Sequence, residues 1–355
     1  MTDAVRILFL ADTHLGFDLP LRPRVERRRR GHDFQANYER ALAPALAGEV
    51  DLVVHGGDVF HRSRVPASLA WQGLDPLVRV AERGVPVYVV PGNHERSRIP
   101  HRRFARHPRI HLFDRPRLFE VDIRGVRLRL AGFPFERGDV RTRFPALVKE
   151  TGWRPSRSSL DLLCMHQCVE GATVGPSDFT FSTGRDVVRG RDIPAGFAAV
   201  LSGHIHRHQA LVRDLSGARL PVPVLYPGSV ERTSLAEQGE VKGFLRVELG
   251  GGEPVRWRFQ ALPARPMEVR DLEIGVGNRA ELEAAVRAMI DAAPPEAVLR
   301  IRVHGDPAGL GDLMEAERVR GWAPPGMNVE VRPAGPRPPR RRSPARRSPQ
   351  VALDL

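Results

Sequence analysis

Cysteine is scarce in this sequence, since Cys164 and Cys168 are the only two among 355 residues. They lie four residues apart, so a disulfide between them would close almost no loop and would add little stability. We therefore expect reduced thiols in a cytosolic protein. A chain of this length can instead bury a sizeable apolar core, in one large α/β domain together with a smaller one.

Long hydrophobic runs are also missing. No stretch approaches the roughly 20 apolar residues that cross a bilayer. The apolar run from Ile7 to Ala11 is too short for the core of a signal peptide. We therefore expect no membrane span and place the protein in the cytoplasm.

Lysine is nearly absent, and arginine carries most of the net charge of +13. Six arginines and one glutamate lie within residues 22–30, and seven arginines and one aspartate lie within residues 332–355. The rest of the chain is therefore close to neutral. This distribution fits a folded enzyme with two basic segments that bind a polyanion better than a wholly basic binding protein.

Five apolar runs each end at a group of polar residues. The pattern predicts strands at 5–10, 51–54, 85–90, 160–165 and 197–201, with helices at 34–47 and 67–83. Sheets of α/β proteins place their ligand sites at the carboxyl ends of strands. The polar residues that follow these strands are therefore the candidate site.

Beyond residue 262 the pattern changes to that of a small α/β module. It has an apolar segment at 267–272, helices at 279–292 and 310–318, and a strand at 298–303. From residue 332 onward the Pro/Arg-rich sequence cannot bury enough apolar surface to offset its ordering entropy. We predict a catalytic domain at 1–262, a small domain at 263–331 and a disordered basic tail at 332–355.

The polar groups contain side chains that bind metals. In an extended segment residues two apart point to the same side, so Asp12 and His14 can bind one ion together. His204 and His206 have the same spacing, and His166 ends another predicted strand. Each group is weak evidence alone, but their succession at strand ends is hard to obtain by chance.

Two further groups complete the constellation. Gly57 permits close approach of the backbone just before Asp58, whose two carboxylate oxygens could bridge two ions. Asn93 can contribute an amide oxygen. Its neighbour His94 should point elsewhere, which leaves it for proton transfer or for binding a phosphate oxygen.

The donor set indicates the kind of metal. Aspartate, asparagine and histidine without thiolates suit manganese best in our interpretation, with iron or zinc as alternatives. A zinc site made of Cys164, Cys168 and His166 would lack a fourth ligand and the usual spacing. The candidate metal ligands are Asp12, His14, Asp58, Asn93, His166, His204 and His206.

These motifs resemble the signature blocks of the calcineurin-like metallophosphoesterases. The resemblance implies an α/β fold, a four-layer α-β-β-α sandwich with two divalent metals at the edge of its sheets. It also implies the two ligand sets. One ion would take Asp12, His14, Asp58 and His206, and the other would take Asp58, Asn93, His166 and His204.

Longer motifs resemble the SbcD-like DNA repair nuclease branch of that family. They are 12–16, 57–61 and 226–233, the last followed by Lys242-Gly-Phe244. The resemblance implies that the module after residue 262 is a DNA-capping domain, and it leaves a homodimer open. In that branch a helical segment beyond the cap docks on an SMC-like ATPase. In this chain a short Pro/Arg tail occupies the position of that helical segment, so an SMC-like ATPase partner stays an open alternative.

The function that follows is a metal-dependent DNA nuclease, in which two ions activate a water for in-line attack on phosphorus. His94 would stabilise or protonate the departing oxygen, and the resemblance implies that His61 orients the phosphate. A phosphatase or phosphodiesterase acting on small nucleotides or phosphoproteins, and a noncatalytic DNA-binding scaffold, are the alternatives. Exonuclease and endonuclease activity both remain open, and DNA as substrate implies association with the nucleoid.

Two basic segments carry the remaining hypotheses. Arg27, Arg28, Arg29 and Arg30 are candidates for contact with the DNA backbone, with a solvated charge run as the equal alternative. At the chain end, Gln350, Leu353 and Leu355 loosely resemble the peptides by which bacterial repair enzymes bind the sliding clamp. An arbitrary chain end is the competing interpretation.

Overall fold

The computed structural model describes residues 4–18, 28–95, 104, 106–250, 252–273, 279–305 and 316–334. The chain divides into two compact units, Met1–Pro266 and Met267–Leu355. Of the helices formed by the described residues, none has the length and the apolar character needed to cross a membrane. The sliding-clamp peptide and most of the predicted tail lie outside the described residues.

The first sheet of the larger unit contains six strands. Their bounds are β1 Val5–Leu10, β2 Leu52–His55, β3 Val87–Val89, β4 Ile110–Leu112, β15 Gly243–Leu249 and β16 Arg256–Ala261. They lie side by side in the order β16-β15-β1-β2-β3-β4. Strands β1 to β4 are parallel, and β15 and β16 continue the sheet in antiparallel pairing.

The second sheet also has six strands. Their bounds are β5 Arg117–Ile123, β6 Val126–Gly132, β7 Leu160–Met165, β12 Ala199–Ser202, β13 Gln209–Arg213 and β14 Arg219–Tyr226. The order is β13-β14-β12-β7-β6-β5. The four central strands are parallel, and both edge strands are antiparallel.

The segment between β7 and β12 forms four short strands in two pairs. Their bounds are β8 Cys168–Val169, β9 Thr173–Val174, β10 Phe179–Thr180 and β11 Val187–Val188. Strands β8 and β11 pair in parallel, and β9 and β10 form an antiparallel hairpin.

Three apolar clusters hold the two sheets and their helices together. A central cluster joins the facing sides of the sheets, with Phe9, Tyr88 and Leu162 fully or almost fully buried in it. The outer side of the first sheet packs on helices α1 (Arg30–Leu46) and α2 (Ala67–Glu82), and that of the second packs on α3 (Val140–Glu150). The predicted four-layer α/β sandwich is therefore confirmed.

Local sequence explains where these helices begin. Pro66 precedes α2 with its fixed φ of −57°, and Asp139 accepts a hydrogen bond from the Thr142 amide at the start of α3. Helix α1 begins at Arg30, four residues before the predicted start at Phe34. Cys164 and Cys168 are both buried and free, as predicted.

The smaller unit contains a three-stranded parallel sheet with helices between its strands. The bounds are β17 Met267–Glu273, α4 Arg279–Asp291, β18 Val298–His304, α5 Ala316–Trp322 and β19 Asn328–Pro333. The strand order is β17-β18-β19, and the core lies between the sheet and the helices. Arg332 and Pro333 belong to β19, so regular structure continues past the predicted start of the tail.

Gly203, at the exit of β12, lies too close to its neighbours for any side chain. A Cβ there would lie 2.4 Å from the carbonyl oxygen of Gly56 and 2.8 Å from His166 Nδ1. We predict that Gly203→Ala lowers the free energy of unfolding by about 1–3 kcal/mol, because one of these groups must move. Gly239→Ala is the control, since nothing lies within 4 Å of a Cβ there. Equal denaturant midpoints for the two variants would contradict this packing.

Candidate metal centre

The loops that follow β1 and β2 are joined by backbone hydrogen bonds. The Asp12 amide donates to the Gly57 carbonyl at 2.9 Å, and the His14 amide donates to the Asp58 carbonyl at 3.0 Å. In the second sheet, the Gly203 amide donates to Met165 O at 3.3 Å, beside His166. His166 Nδ1 lies 2.7 Å from the carbonyl oxygen of Gly56, which follows β2, so the carboxyl ends of strands from both sheets meet at one edge of the sandwich.

Four candidate ligands have left-handed backbone conformations. The φ angles are 52° at Asp12, 43° at His14, 53° at Asp58 and 83° at His204. Such angles are uncommon for residues with a Cβ, and they concentrate at functional sites. Asp12 and His14 do come together, but the extended backbone that we assumed for them is wrong.

The first group of converging side chains contains Asp12, His14 and His206. The Nε2 atoms of His14 and His206 are 2.9 Å apart. Asp12 Oδ1 lies 4.0 Å from the first of these nitrogens and 3.9 Å from the second. Their ligand atoms all lie within 4.8 Å of one another, which is a spacing that one ion can span.

The second group lies around His166. Its Nε2 is 3.5 Å from Asp58 Oδ2 and 3.0 Å from Asn93 Oδ1. His204 Nδ1 is 3.1 Å from the same asparagine oxygen. Nδ1 of His166 lies 2.7 Å from the Gly56 carbonyl and donates to it, so Nε2 is the atom presented to the group.

The donors in these groups fit divalent metals. Imidazole nitrogens of His14 and His206 face one another, and Nδ1 of His14 is buried without a hydrogen-bond partner among the described residues. Buried carboxylates from two loops add negative charge at the same place. A cation of borderline character would satisfy oxygen and nitrogen donors together. The structure therefore brings all seven predicted ligands to one edge of the sandwich.

Burial and mutual contacts shift the pKa values of these groups in different directions. Burial opposes protonation of His166, but the adjacent Asp58 raises its pKa to about 9. Burial alone would raise the pKa of Asp58, and His166 instead holds it below its usual range. Burial raises the pKa of Asp12 to about 6 despite nearby histidines. Burial also lowers the pKa of His204 to about 3.

His94 and His61 lie beside the first group. The His94 amide donates to Asp58 Oδ1 at 2.9 Å, and its Nδ1 makes a hydrogen bond with the His61 carbonyl. His94 Nε2 lies 3.9 Å from Asp58 Oδ2, and the His94 ring centroid is 5.1 Å from that of His14. Burial lowers the pKa of His61 to about 4. His94 thus contacts Asp58, whereas the Asn93 side chain contacts His166 and His204.

Glu95 has a role that the sequence did not indicate, although it directly follows Asn93 and His94. Its carboxylate accepts hydrogen bonds from the amides of Val59 and Gly92, so it joins the loops after β2 and β3. Burial raises its pKa to about 7, and the charge of Asp58 adds to this effect. Val59 follows Asp58 and Gly92 precedes Asn93, so these two hydrogen bonds help to fix the positions of both candidate ligands.

A second set of supporting residues surrounds His206. Glu237 Oε1 lies 3.6 Å from His206 Nδ1, and the Thr233 hydroxyl lies 3.2 Å from that nitrogen and donates to Glu237 at 2.6 Å. The buried ammonium of Lys242 contacts Glu237 and Glu240 at 2.7 Å each, and donates to the His206 carbonyl at 2.8 Å. The longer sequence motifs contain Thr233 and Lys242, but spacing alone could not reveal this contact.

The basic segment near α1 is only partly described, because Arg27 lies outside the described residues. Arg28 pairs with Asp33 at 2.7 Å, and Arg29 pairs with Asp18 at 3.5 Å. The guanidinium of Arg30 lies over the ring of Phe17, 4.8 Å from its centroid. Contact between these arginines and DNA stays a prediction.

Comparison with known proteins agrees with this geometry. The model of the calcineurin-like phosphoesterase family matches residues 5–208, and the chain belongs to that family. It is similar to DNA double-strand break repair protein Mre11 of Thermoplasma acidophilum, with 24% identity over 84% of this chain and 77% of that protein. It is also similar to a subunit of the nuclease SbcCD of Bacillus subtilis, with 26% identity over 72% of this chain and 68% of that protein.

A shorter match is stronger locally. Mre11 of Haloferax volcanii is 40% identical over 93 residues, which are 26% of this chain and 20% of that protein. The chain thus spans only a fifth of the length of this relative. The predicted family is confirmed, and these relatives are consistent with the predicted DNA repair branch.

Asp58 is the ligand that the sequence predicts to be shared by both metals. We predict that Asp58→Ala abolishes phosphoester hydrolysis and lowers the content of both metals, measured by elemental analysis. Asp75→Ala is the control, because Asp75 is an exposed residue of α2 that pairs with Arg79. Two bound metals with persisting activity in Asp58→Ala would show that Asp58 does not bridge the groups.

Glu237 is predicted to act through His206. Glu237→Gln should weaken the affinity for one of two manganese ions by about 10- to 100-fold, because carboxylates that orient a metal-binding histidine contribute on that scale. Calorimetric titration of the metal-free protein is the measurement. Glu240→Gln is a matched control, since Glu240 also pairs with Lys242 but directs its other oxygen to Arg207. Equal affinities in the two variants would contradict the orienting role.

Proposed function

We propose that this chain is a two-metal DNA phosphodiesterase, a nuclease of the DNA repair type. The observation that carries the proposal is the convergence of seven aspartate, asparagine and histidine side chains at one sheet edge. The names of the relatives, a double-strand break repair protein and a nuclease subunit, supply the substrate class. The scaffold alternative is disfavoured because a noncatalytic protein would have no need for such a buried charge cluster.

The family uses two divalent metals, and the residues divide naturally between them. Asp12, His14, Asp58 and His206 would hold one ion, and Asp58, Asn93, His166 and His204 would hold the other. We propose manganese, with iron or zinc as alternatives. When bound, such a pair lowers the pKa of water and neutralises charge on the phosphate.

The chain's own residues then supply orientation and proton transfer. Because His94 Nδ1 is engaged by the His61 carbonyl, Nε2 is the atom that faces the site. From there it can donate a hydrogen bond or a proton to the departing oxygen. His61 lies against the ring of Phe17, at 4.9 Å between centroids, which holds it at the rim of the site. The smaller unit would cap the DNA.

The proposal is tested by comparing substrates in manganese. Linear duplex, hairpin and closed circular DNA are each compared with bis(p-nitrophenyl) phosphate and with small nucleotides. Turnover of at least one form of DNA well above that of small nucleotides is expected. Hydrolysis of small nucleotides or phosphopeptides without any cleavage of DNA would establish the phosphatase alternative instead.

His94→Ala should separate chemistry from metal binding. We predict two bound metals and a loss of turnover of about 10²- to 10⁴-fold, which is the usual contribution of a general acid. Metal content and single-turnover rates are measured on the same preparation. Near-normal turnover would remove His94 from the mechanism, and loss of a metal would make it a ligand.

A further inference from the structure

The β9–β10 hairpin lies in the segment that leaves the metal centre at His166. After β8, the chain turns through β9 and back through β10, with Phe179 opposite Val174. Gly175 and Asp178 both adopt left-handed backbone conformations in the turn, with φ of 72° and 51°. The turn therefore has a specific backbone conformation, and Phe179 directly follows it.

Side chains that follow His206 hold this hairpin in place. Arg207 donates to Asp178 Oδ1 and to the Gly175 carbonyl, both at 2.6 Å. Gln209 accepts from the Thr173 amide at 2.8 Å and donates to the Thr173 carbonyl at 2.9 Å. Arg207 directly follows the candidate ligand His206, so its side chain connects the hairpin to the metal-binding loop.

Phe179 is exposed on this anchored hairpin. Its relative exposure is 59%, which is among the largest for an apolar side chain in the described residues. The ring meets that of Phe181 at 5.2 Å between centroids and 88° between planes, and Phe181 packs against the core beside the second sheet. An exposed aromatic ring on an anchored hairpin is a surface on which a nucleobase can stack, whatever the base.

Other groups near the second metal group suit a nucleic acid strand. The Phe135 ring lies 5.5 Å from that of His204. The exposed Arg137 donates to the Asn93 carbonyl at 2.9 Å and leaves further N–H donors beside the site. A cationic group together with an aromatic group is a usual combination for binding single strands.

We propose that Phe179 stacks on an unpaired nucleobase of the DNA whose phosphate is bound at the metal centre. This inference rests on the proposed function as a DNA nuclease. It adds one contact to that function, namely a stacking position for an unpaired base on the β9–β10 hairpin. A protein partner that covers the ring is the competing occupant, and the test distinguishes the two.

The test measures binding of a fluorescently labelled single-stranded oligonucleotide to the full chain by anisotropy, with manganese present and in the His94→Ala background, which is predicted to keep both metals but to cleave slowly. Phe179→Ala is expected to weaken binding about tenfold, as loss of one stacked base does. Phe179→Trp should restore it. Leu215→Ala is the control, because Leu215 is 51% exposed in the turn between β13 and β14, and it should bind like the wild type.

The same variants are then compared on duplex DNA with paired ends and with mismatched, open ends. Loss of activity in Phe179→Ala that is recovered by Phe179→Trp supports stacking on the substrate. Wild-type binding and cleavage by Phe179→Ala would overturn the inference and assign the ring to a protein contact. If the wild-type chain hydrolyses bis(p-nitrophenyl) phosphate but neither binds nor cleaves DNA, the proposed function itself fails.

Discussion

The position of Asp58 is the constraint on which the whole site depends. Its carbonyl binds the His14 amide, and its Oδ1 accepts from the His94 amide. Its Oδ2 lies 3.5 Å from His166, which belongs to the other sheet. Gly92 packs so closely on it that a Cβ would lie 2.2 Å from Oδ1. One buried carboxylate thus connects loops from both sheets, and the two layers must be aligned for it to do so.

Much of the fold that carries this residue could be predicted, because the strands beside the site are continuous apolar runs. The bounds of β1 and β7 agree with the prediction to the residue. Edge strands such as β5, with the sequence RLFEVDI, alternate between charged and apolar residues and are only partly buried. β5 pairs with β6, the next strand along the chain, but it is not a continuous apolar run, so the pattern that identified the central strands did not identify it.

The candidate ligands could be predicted from residue type, but the geometry that assembles them could not. Spacing of two suggested an extended segment at Asp12 and His14, whereas the backbone there is left-handed. The carboxylates of Glu95 and Glu237 act on partners that are brought near by folding, at Val59 and His206. Supporting contacts of this kind involve long sequence separations, so they become visible only when the sheets are in place.

The arginines near α1 differ in how freely they can bind phosphate. The arginine side chains of the Arg28–Asp33 and Arg29–Asp18 pairs are 36% and 20% exposed, so a phosphate can reach both cations. If Arg28 turns toward a phosphate, Asp33 keeps a second cation, because Arg265 also binds it at 3.0 Å. Arg30 is different, since its guanidinium donates to the Arg232 carbonyl and covers Phe17. Removing it from that position would uncover a ring that packs on His61. Within this basic segment, Arg28 and Arg29 are therefore expected to contribute to the salt dependence of the proposed DNA binding, while Arg30 supports the wall of the site.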